Sequence, residues 1–142
     1  MNVKGFLDTN VLVYAAAGSG RDAAKRRTAL DLIDRVYFGT SAQVLQEFFV
    51  TVTRKIAEPL SASDAMEWVE TLIEFPCLAV DHQLVRIAIE KSARYQISYW
   101  DAAVVAAAEA LEADTIYSED LNDGQLYGSV RVINPFKNAL RS

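Results

Sequence analysis

The stretch that decides the fold is VKGFLDTNVLVYAAA, residues 3–17. Its first five residues form a short β-rich run, and an apolar segment with helical character follows over residues 11–17. Between the two stand Asp8, Thr9 and Asn10, whose polar side chains can cap a helix. The chain is therefore predicted to begin with a strand, a polar corner and a helix.

The same order of strand and helix recurs along the chain. Further strands are predicted at residues 36–40, 77–80, 114–117 and 130–133, and pairs of helical segments separate the first four strands. Asp22, Ser41, Ser61 and Asp81 stand where helix caps are expected. The run at residues 102–111 has almost no polar face and predicts a helix buried on most sides. The order β-α-α-β-α-α-β-α-α-β-β predicts an α/β fold with a parallel central sheet flanked by helices on both faces.

Composition limits the classes of function. The 142 residues are 51% apolar and 23% charged, which predicts one soluble domain over residues 1–142. With 14 basic and 19 acidic residues the net charge is −5, so binding of a nucleic acid would need metal ions or local basic patches. No apolar run approaches the roughly 20 residues of a membrane span, and the lone Cys77 excludes an internal disulfide, which favours a cytoplasmic location.

Acidic residues recur at one predicted edge of the sheet. Right-handed crossovers place every strand-to-helix corner along that edge, where such sheets usually hold ligands. Asp8 follows the first strand, Asp101 begins the apolar helix, and SEDLND follows the fourth strand at residues 118–123. Carboxylates brought together repel one another, and their hard oxygens suit Mg²⁺ or Mn²⁺. The single His82 and Cys77 leave no Ser-His-Asp or Cys-His arrangement as an alternative.

These acids belong to longer motifs. The motifs are FLDTNVL at residues 6–12, YWDA at 99–102, YSEDLNDG at 117–124 and VINPF at 132–136, with Glu47 in the third helix. Over almost its whole length the chain resembles the PIN-domain nucleases of the VapC type, the ribonuclease toxins of bacterial and archaeal toxin–antitoxin pairs. The family often has Thr where this chain has Ser118, and both residues supply a hydroxyl.

The resemblance implies a site, a cofactor and partners. One or two Mg²⁺ ions, with Mn²⁺ as a substitute, would hydrolyse RNA. Four acids would bind these ions: Asp8, Glu47, Asp101 and Asp120. Three further residues would support the ion ligands: Asn10, Ser118 and Asp123. The resemblance also implies an antitoxin that inserts an Arg or Lys into the acidic groove. It implies a homodimer formed through early helices, for which the sequence offers apolar Tyr14, Leu30 and Phe49.

Two other features have two interpretations each. A basic segment, Arg21, Lys25, Arg26 and Arg27, fits either a solvated helix face or a contact to the RNA backbone. Trp100 fits either a core position or a platform on which a base stacks.

The acids also have structural explanations. Asp8 fits a helix cap, and the helix dipole favours an acid at the position of Asp101. Glu47 lies off the apolar stripe of its helix, and Asp120 lies in a loop where acids are common. A non-catalytic RNA-binding or partner-binding module on the same fold is therefore an alternative function. A Mg²⁺-dependent phosphatase is a second alternative, although that class expects Asp-x-Asp where this chain has Asn10.

Overall fold

The computed structural model describes residues 3–137 and contains a six-stranded sheet. The strands are β1 (Gly5–Leu7), β2 (Phe38–Ser41), β3 (Cys77–Leu78), β4 (Thr115–Tyr117), β5 (Leu126–Tyr127) and β6 (Val130–Ile133). Their order across the sheet is β3-β2-β1-β4-β6-β5, so β1 and β4 are central neighbours. All pairings are parallel except that of β5 with β6. The predicted fold class is confirmed, and the sheet is mixed at one edge.

Strand β5 is the one strand within residues 3–137 that the sequence pattern did not predict. It has two residues, too few for an alternating pattern, and pairs with β6 through Leu126 opposite Arg131 and Tyr127 opposite Val130. A two-residue turn joins the strands, and Gly128 in that turn has φ +62°, a conformation that glycine adopts without a steric penalty. The hairpin therefore adds one antiparallel strand to an otherwise parallel sheet.

Six α-helices are found within residues 3–137. They are α1 (Thr9–Ala17), α2 (Ala23–Arg35), α3 (Ala42–Val50), α4 (Ala62–Leu72), α5 (His82–Tyr95) and α6 (Tyr99–Ala110). A 3-10 turn, Gly20–Asp22, precedes α2, and a π-helical turn, Thr51–Lys55, extends α3. None of these helices is long and apolar enough to cross a membrane.

Three of the four predicted caps are confirmed. The side chains of Ser41, Ser61 and Asp81 each accept a backbone N–H in the first turn of the following helix. The predicted cap at Asp22 is wrong, because its side chain accepts no such bond. Asp22 ends the 3-10 turn with φ −92° and ψ 4°, whereas a capping side chain normally needs extended backbone.

Helix α6 forms the centre of the core. Residues 102–108 are all buried, and α6 packs across β2, β4 and β6 while α5 packs against α6. Helix α1 contacts both α2 and α3, and α3 contacts α4. The main apolar cluster includes Val3 near one end of the described chain and Phe136 near the other. The buried α6 fixes where Asp101, in its first turn, meets the sheet edge.

The packing of β2 against the α6–β4 connection gives a test of the fold. A Cβ at Gly39 would lie 2.7 Å from Leu111 Cδ1 and 3.2 Å from the carbonyl oxygen of Pro76. Gly39→Ala should therefore lower the free energy of unfolding by about 1–3 kcal/mol, measured by denaturant titration. Ser129→Ala, in the exposed β5–β6 turn, is the control and should change stability by less than about 0.5 kcal/mol. Equal stability of the two variants would contradict this packing.

Candidate functional site

The carboxyl ends of β1 and β4 create the centre of the site. Leu7 and Tyr117 are partners in the parallel register, so the next residues, Asp8 and Ser118, emerge side by side. Ser118 Oγ donates a hydrogen bond of 2.7 Å to Asp8 Oδ2. Asp8 Oδ1 also accepts from the backbone N–H of Thr9 at 2.8 Å. Asp8 is thus both a helix cap and a member of the site, and the two interpretations of this residue are compatible.

Ser118 joins the loop after β4 to helix α1. Its hydroxyl is fully buried and accepts from the Asp120 backbone N–H at 3.1 Å and from Asn10 Nδ2 at 3.4 Å. Asn10 Nδ2 also donates to Asp120 Oδ2 at 3.1 Å, and Asn10 Oδ1 accepts from the Glu119 N–H at 3.2 Å. Asn10 and Ser118 therefore position Asp120 beside Asp8.

Glu47 reaches the same edge from α3. Thr9 Oγ1 donates to Glu47 Oε2 at 3.0 Å, and Gln43 Nε2 donates to Glu47 Oε1 at 3.1 Å. Glu47 is exposed, as its position off the apolar stripe predicts, but it faces the site. Thr9 and Gln43 were not predicted as site residues. The available signals were that Thr9 directly follows Asp8 and that Gln43 lies one helical turn before Glu47.

Asp101 is not the cap of α6. Ser98 is the N-cap residue, and its hydroxyl accepts from the Asp101 backbone N–H at 3.1 Å. The Asp101 carboxylate lies in the first turn of α6, where the helix dipole favours an acid, so this structural explanation and a place in the acidic cluster are compatible. Asp101 is half-buried, close enough to Asp120 and Glu47 for their charges to act on it.

The site accumulates uncompensated negative charge. The pKa of Asp8 is raised to about 6, mainly by burial and also by the charges of Asp120 and Glu47, while hydrogen bonds from Ser118 and Thr9 partly oppose the rise. Burial likewise raises the pKa of Asp101, against the Ser98 hydrogen bond and together with the charges of Asp120 and Glu47. Within residues 3–137, none of these four carboxylates forms an ion pair with Lys or Arg.

The donor set fits a divalent cation by its chemistry. Carboxylate oxygens are hard ligands of the kind that Mg²⁺ and Mn²⁺ prefer, and a cation would relieve the repulsion among these four acids. In the described part of the chain, however, no three His, Cys, Asp or Glu side chains are arranged so that they could hold one ion together. Neutral groups hold the carboxylates separately, and gathering them around an ion would require side-chain movement.

A groove opens beside the acidic cluster. The cavity measures about 650 Å³ and is bounded by α1, the Gly18–Asp22 segment and the π-helical turn after α3. Its lining includes Asn10, Glu47 and Asp120. Apolar side chains also line it: Val13, Tyr14, Ala17 and Ile56. The groove therefore combines carboxylates from the site with an apolar surface.

The four residues of the predicted basic segment have different surroundings. Arg21 lines the groove, and Arg27 is exposed on α2. Lys25 forms a 2.8 Å ion pair with Glu119 and lies over the Tyr14 ring, so its charge is already compensated. Arg26 is exposed, and its Nε donates to the Ala15 carbonyl at 3.3 Å.

Tyr14 is also engaged within the chain. Its hydroxyl donates to Glu119, and its ring packs edge-on against Phe136 with centroids 5.0 Å apart. Tyr14 therefore does not supply the exposed apolar surface predicted for a homodimer. Leu30 and Phe49 are each 37% exposed and retain part of that surface.

The structure shows the surroundings of two further residues, Asp123 and Trp100. Asp123 contacts the C-terminal turn: its Oδ1 accepts from the Asn134 N–H at 2.7 Å and its Oδ2 pairs with Lys137 at 2.8 Å. Asp123 thus supports this turn, and its expected support of the ion ligands stays a prediction. Trp100 is 62% exposed, so the core interpretation of this residue is wrong.

The raised pKa of Asp8 predicts a pH-dependent stability. The folded carboxyl has a pKa of about 6 against an ordinary value of 3.8, so the folded state binds the proton more tightly. This stabilisation is complete below pH 4 and is lost as the pH rises through 6, at a cost of about 3 kcal/mol by pH 8. In EDTA, Asp8→Asn should therefore raise the free energy of unfolding at pH 8 by up to about 3 kcal/mol and change it little at pH 4.

Asp123→Asn is the matched control in the same denaturant titrations. The hydrogen bond and charge of Lys137 lower the pKa of Asp123, so this carboxylate contributes stability above its ordinary pKa. Asp123→Asn should therefore lower stability at pH 8, opposite to Asp8→Asn. Stabilisation by Asp8→Asn that was the same at pH 4 and pH 8 would contradict the burial of a charged carboxylate at this position.

Comparisons with known proteins place the fold in a family. The family model described as "PIN domain" matches residues 5–123. A toxin–antitoxin complex from Klebsiella pneumoniae contains a chain with a TM-score of 0.69 at 15% identity, covering 93% of this chain and 98% of that one. VapC20 of Mycobacterium tuberculosis, a toxin that cleaves the sarcin-ricin loop, has a TM-score of 0.66 at 21% identity, and the match covers 90% of this chain and 99% of that one. A chain of DNA-bound VapBC from Salmonella typhimurium has a TM-score of 0.61 at 16% identity, and the match covers 92% of this chain and 96% of that one.

No curated protein matches the sequence significantly. The family match nevertheless covers most of the chain, including Asp8, Glu47, Asp101 and Asp120. The structural likenesses cover nearly the whole of each chain compared. The chain belongs to the PIN-domain family and has the fold of the VapC-type structures.

Proposed function

We propose that the chain is a Mg²⁺-dependent endoribonuclease, able to use Mn²⁺ as a substitute, and the toxin of a type II toxin–antitoxin pair that acts on cytoplasmic RNA. The observation that carries the proposal is the convergence of Asp8, Glu47, Asp101 and Asp120 at one sheet edge without a basic partner among residues 3–137. Membership of the PIN-domain family supports it.

Each acid has a distinct place in the proposed mechanism. Asp8, Asp101 and Asp120 would hold the ion directly or through water, and Glu47 would complete its surroundings or orient the attacking water. When bound, the ion would activate water and neutralise the charge of the phosphate. No histidine or cysteine base is needed in this scheme, since the water is oriented by carboxylates.

Neutral side chains hold the acids in place. Ser118 donates to Asp8, Asn10 donates to Asp120, and Thr9 donates to Glu47. These donors fix the orientation of each carboxylate without neutralising its charge. The charge thus remains available for a cation, which is the property that a metal-dependent nuclease needs.

The alternative functions fit this geometry less well. A phosphatase would need an acid where Asn10 stands, and Asn10 instead uses its amide to connect Asp120 and Ser118. In a module that only binds RNA, the four carboxylates would repel the phosphate backbone and contribute nothing. The arrangement therefore favours hydrolysis over binding alone.

Loss of one carboxylate should abolish RNA cleavage without unfolding the chain. Asp101→Asn keeps the size of the side chain but removes a charge that holds the ion, so cleavage should fall by about 100-fold or more. Asp114→Asn is the matched control, because Asp114 is exposed and is paired loosely with Lys4 at 3.9 Å, outside the acidic cluster. Cleavage of labelled RNA by gel and Mg²⁺ binding by calorimetry would measure both effects.

Chelation gives an independent test of the same proposal. EDTA should abolish cleavage by the unmodified chain, and excess Mg²⁺ or Mn²⁺ should restore it. Cleavage that persisted in EDTA, or an Asp101→Asn protein that cut RNA at the unmodified rate, would refute the metal-dependent mechanism.

The groove supports a protein partner for the same site. Two of the similar structures were solved as toxin–antitoxin or VapBC complexes. Here the groove has carboxylates of Glu47 and Asp120 beside an apolar surface. This pattern fits an antitoxin segment that places apolar side chains in the groove and inserts an Arg or Lys among the carboxylates. We also propose a homodimer whose contact surface includes Leu30 and Phe49.

Filling the groove should release the chain from its partner. Ala17 lines the groove but belongs to none of the acidic groups, so Ala17→Trp should obstruct the antitoxin and leave cleavage by the free chain largely unchanged. In a purified complex with the protein encoded beside it, the unmodified chain should cleave RNA more slowly than alone, and Ala17→Trp should weaken this inhibition. Equal cleavage by the free chain and by its complex would disprove inhibition through the groove.

A further inference from the structure

We propose that Trp100 is a stacking platform for an unpaired RNA base next to the cleaved bond, in a cavity between α3 and the start of α6. The proposal rests on the ribonuclease function and identifies where its substrate would be recognised. It concerns a second cavity, separate from the groove described above, with a volume of about 460 Å³. The cavity is lined by Gln43, Gln46, Glu47, Val50, Lys55 and Trp100.

The exposure of Trp100 is the first observation. The indole is 62% exposed, whereas residues 102–108 of the same helix are all buried. The Tyr99 ring packs edge-on against the indole, with centroids 5.0 Å apart and planes at 83°. A large aromatic face is thus held at the surface and remains accessible, which is the arrangement on which nucleic-acid bases stack.

The chemistry around the indole matches a nucleotide. Gln46 has an exposed amide that can donate to and accept from the polar edge of a base. Gln43 already donates to Glu47, which leaves its carbonyl oxygen as an acceptor. Lys55 is exposed and offers a positive charge to a phosphate. Aromatic face, amides and cation are the groups used to bind single-stranded RNA.

The π-helical turn explains why Lys55 belongs to this cavity. Gln43, Gln46, Glu47 and Val50 share one face of α3, since residues three and four apart are neighbours on a helix. The helix is wider in the π-helical turn Thr51–Lys55, where residues five apart are neighbours. The next residue on that face after Val50 is therefore Lys55. The irregular turn thus places a cation at the end of a row of uncharged and acidic side chains.

The cavity adjoins the proposed reaction centre. Glu47 lines both cavities, and Trp100 directly precedes Asp101 in α6. A base on Trp100 would therefore belong to a nucleotide close to the phosphate at the acidic cluster. Stacking would require that base to be unpaired.

Fluorescence can report the stacking directly. Trp68 and Trp100 are the two tryptophans of the chain, so Trp68→Phe makes Trp100 the sole indole. Titration of a single-stranded RNA oligonucleotide in EDTA at low salt should quench the fluorescence of this variant. Trp100→Phe, which keeps only Trp68, is the matched control and should show little quenching.

Affinity and kinetics separate stacking from a general structural effect. Trp100→Ala should weaken binding of the oligonucleotide roughly 5- to 100-fold, and Trp100→Phe should retain much of the affinity. Met66→Ala, which removes another exposed apolar side chain on α4, should have no effect. In cleavage assays Trp100→Ala should raise KM more than it lowers kcat, because stacking is present before the reaction begins.

An abasic site in the RNA tests the partner of the indole. Removing the base that stacks should weaken binding to the unmodified chain and cause no additional loss in Trp100→Ala. Lys55→Ala should reduce the slope of affinity against salt by about one phosphate contact, and Lys4→Ala, another exposed lysine, should leave the slope unchanged.

The outcomes distinguish this proposal from the ribonuclease proposal. If Trp100→Ala bound RNA like the unmodified chain while Asp101→Asn abolished cleavage, the stacking platform would be refuted and the nuclease would stand. If RNA quenched Trp100 but no cleavage occurred with any divalent ion, stacking would stand and the nuclease would fail. If Trp100→Ala lost only its binding to a protein partner, the cavity would be a protein contact and the base platform would be overturned.

Discussion

The arrangement of the site depends on the hydrogen bond between Ser118 Oγ and Asp8 Oδ2. It joins the ends of β1 and β4, the two central strands, at a position where both side chains are buried. The same hydroxyl accepts from the Asp120 backbone and from Asn10, so one buried atom connects two strands, one helix and one loop. A buried hydroxyl must use its hydrogen-bonding capacity, and here that requirement orders the acidic edge.

The acids in this site oppose folding more than they assist it. Burial and mutual repulsion raise the pKa of Asp8 and Asp101, which means that their charged forms are disfavoured without a cation. The rest of the fold compensates through the core around α6 and through caps such as Ser98. Charge that lowers stability yet is held in place by neutral donors is expected where function placed the residues.

Glu47 separates two surfaces of different chemistry. On one side lies the groove, with apolar side chains and a few charges, which suits an amphipathic protein segment. On the other lies the cavity of Trp100, with amides and an exposed lysine, which suits a nucleotide. A partner and a substrate could thus approach the same carboxylates from different directions. Under the proposed function, a partner in the groove would inhibit the reaction by engaging Glu47 or Asp120.

The sequence by itself determined the order of most elements and most helix caps, because capping and periodicity depend on residues within a few positions of one another. Glu47 joins the other three acids only through the family resemblance, since its local pattern predicts no more than an exposed position. Only the tertiary structure decided which acids have neutral partners, since Thr9 and Glu47 are 38 positions apart and Asn10 and Asp120 are 110 apart. It also decided the surroundings of three residues that the local pattern leaves open: Lys25, Trp100 and Asp123. Their surroundings come from distant segments, and no pattern within one helix or loop specifies such contacts.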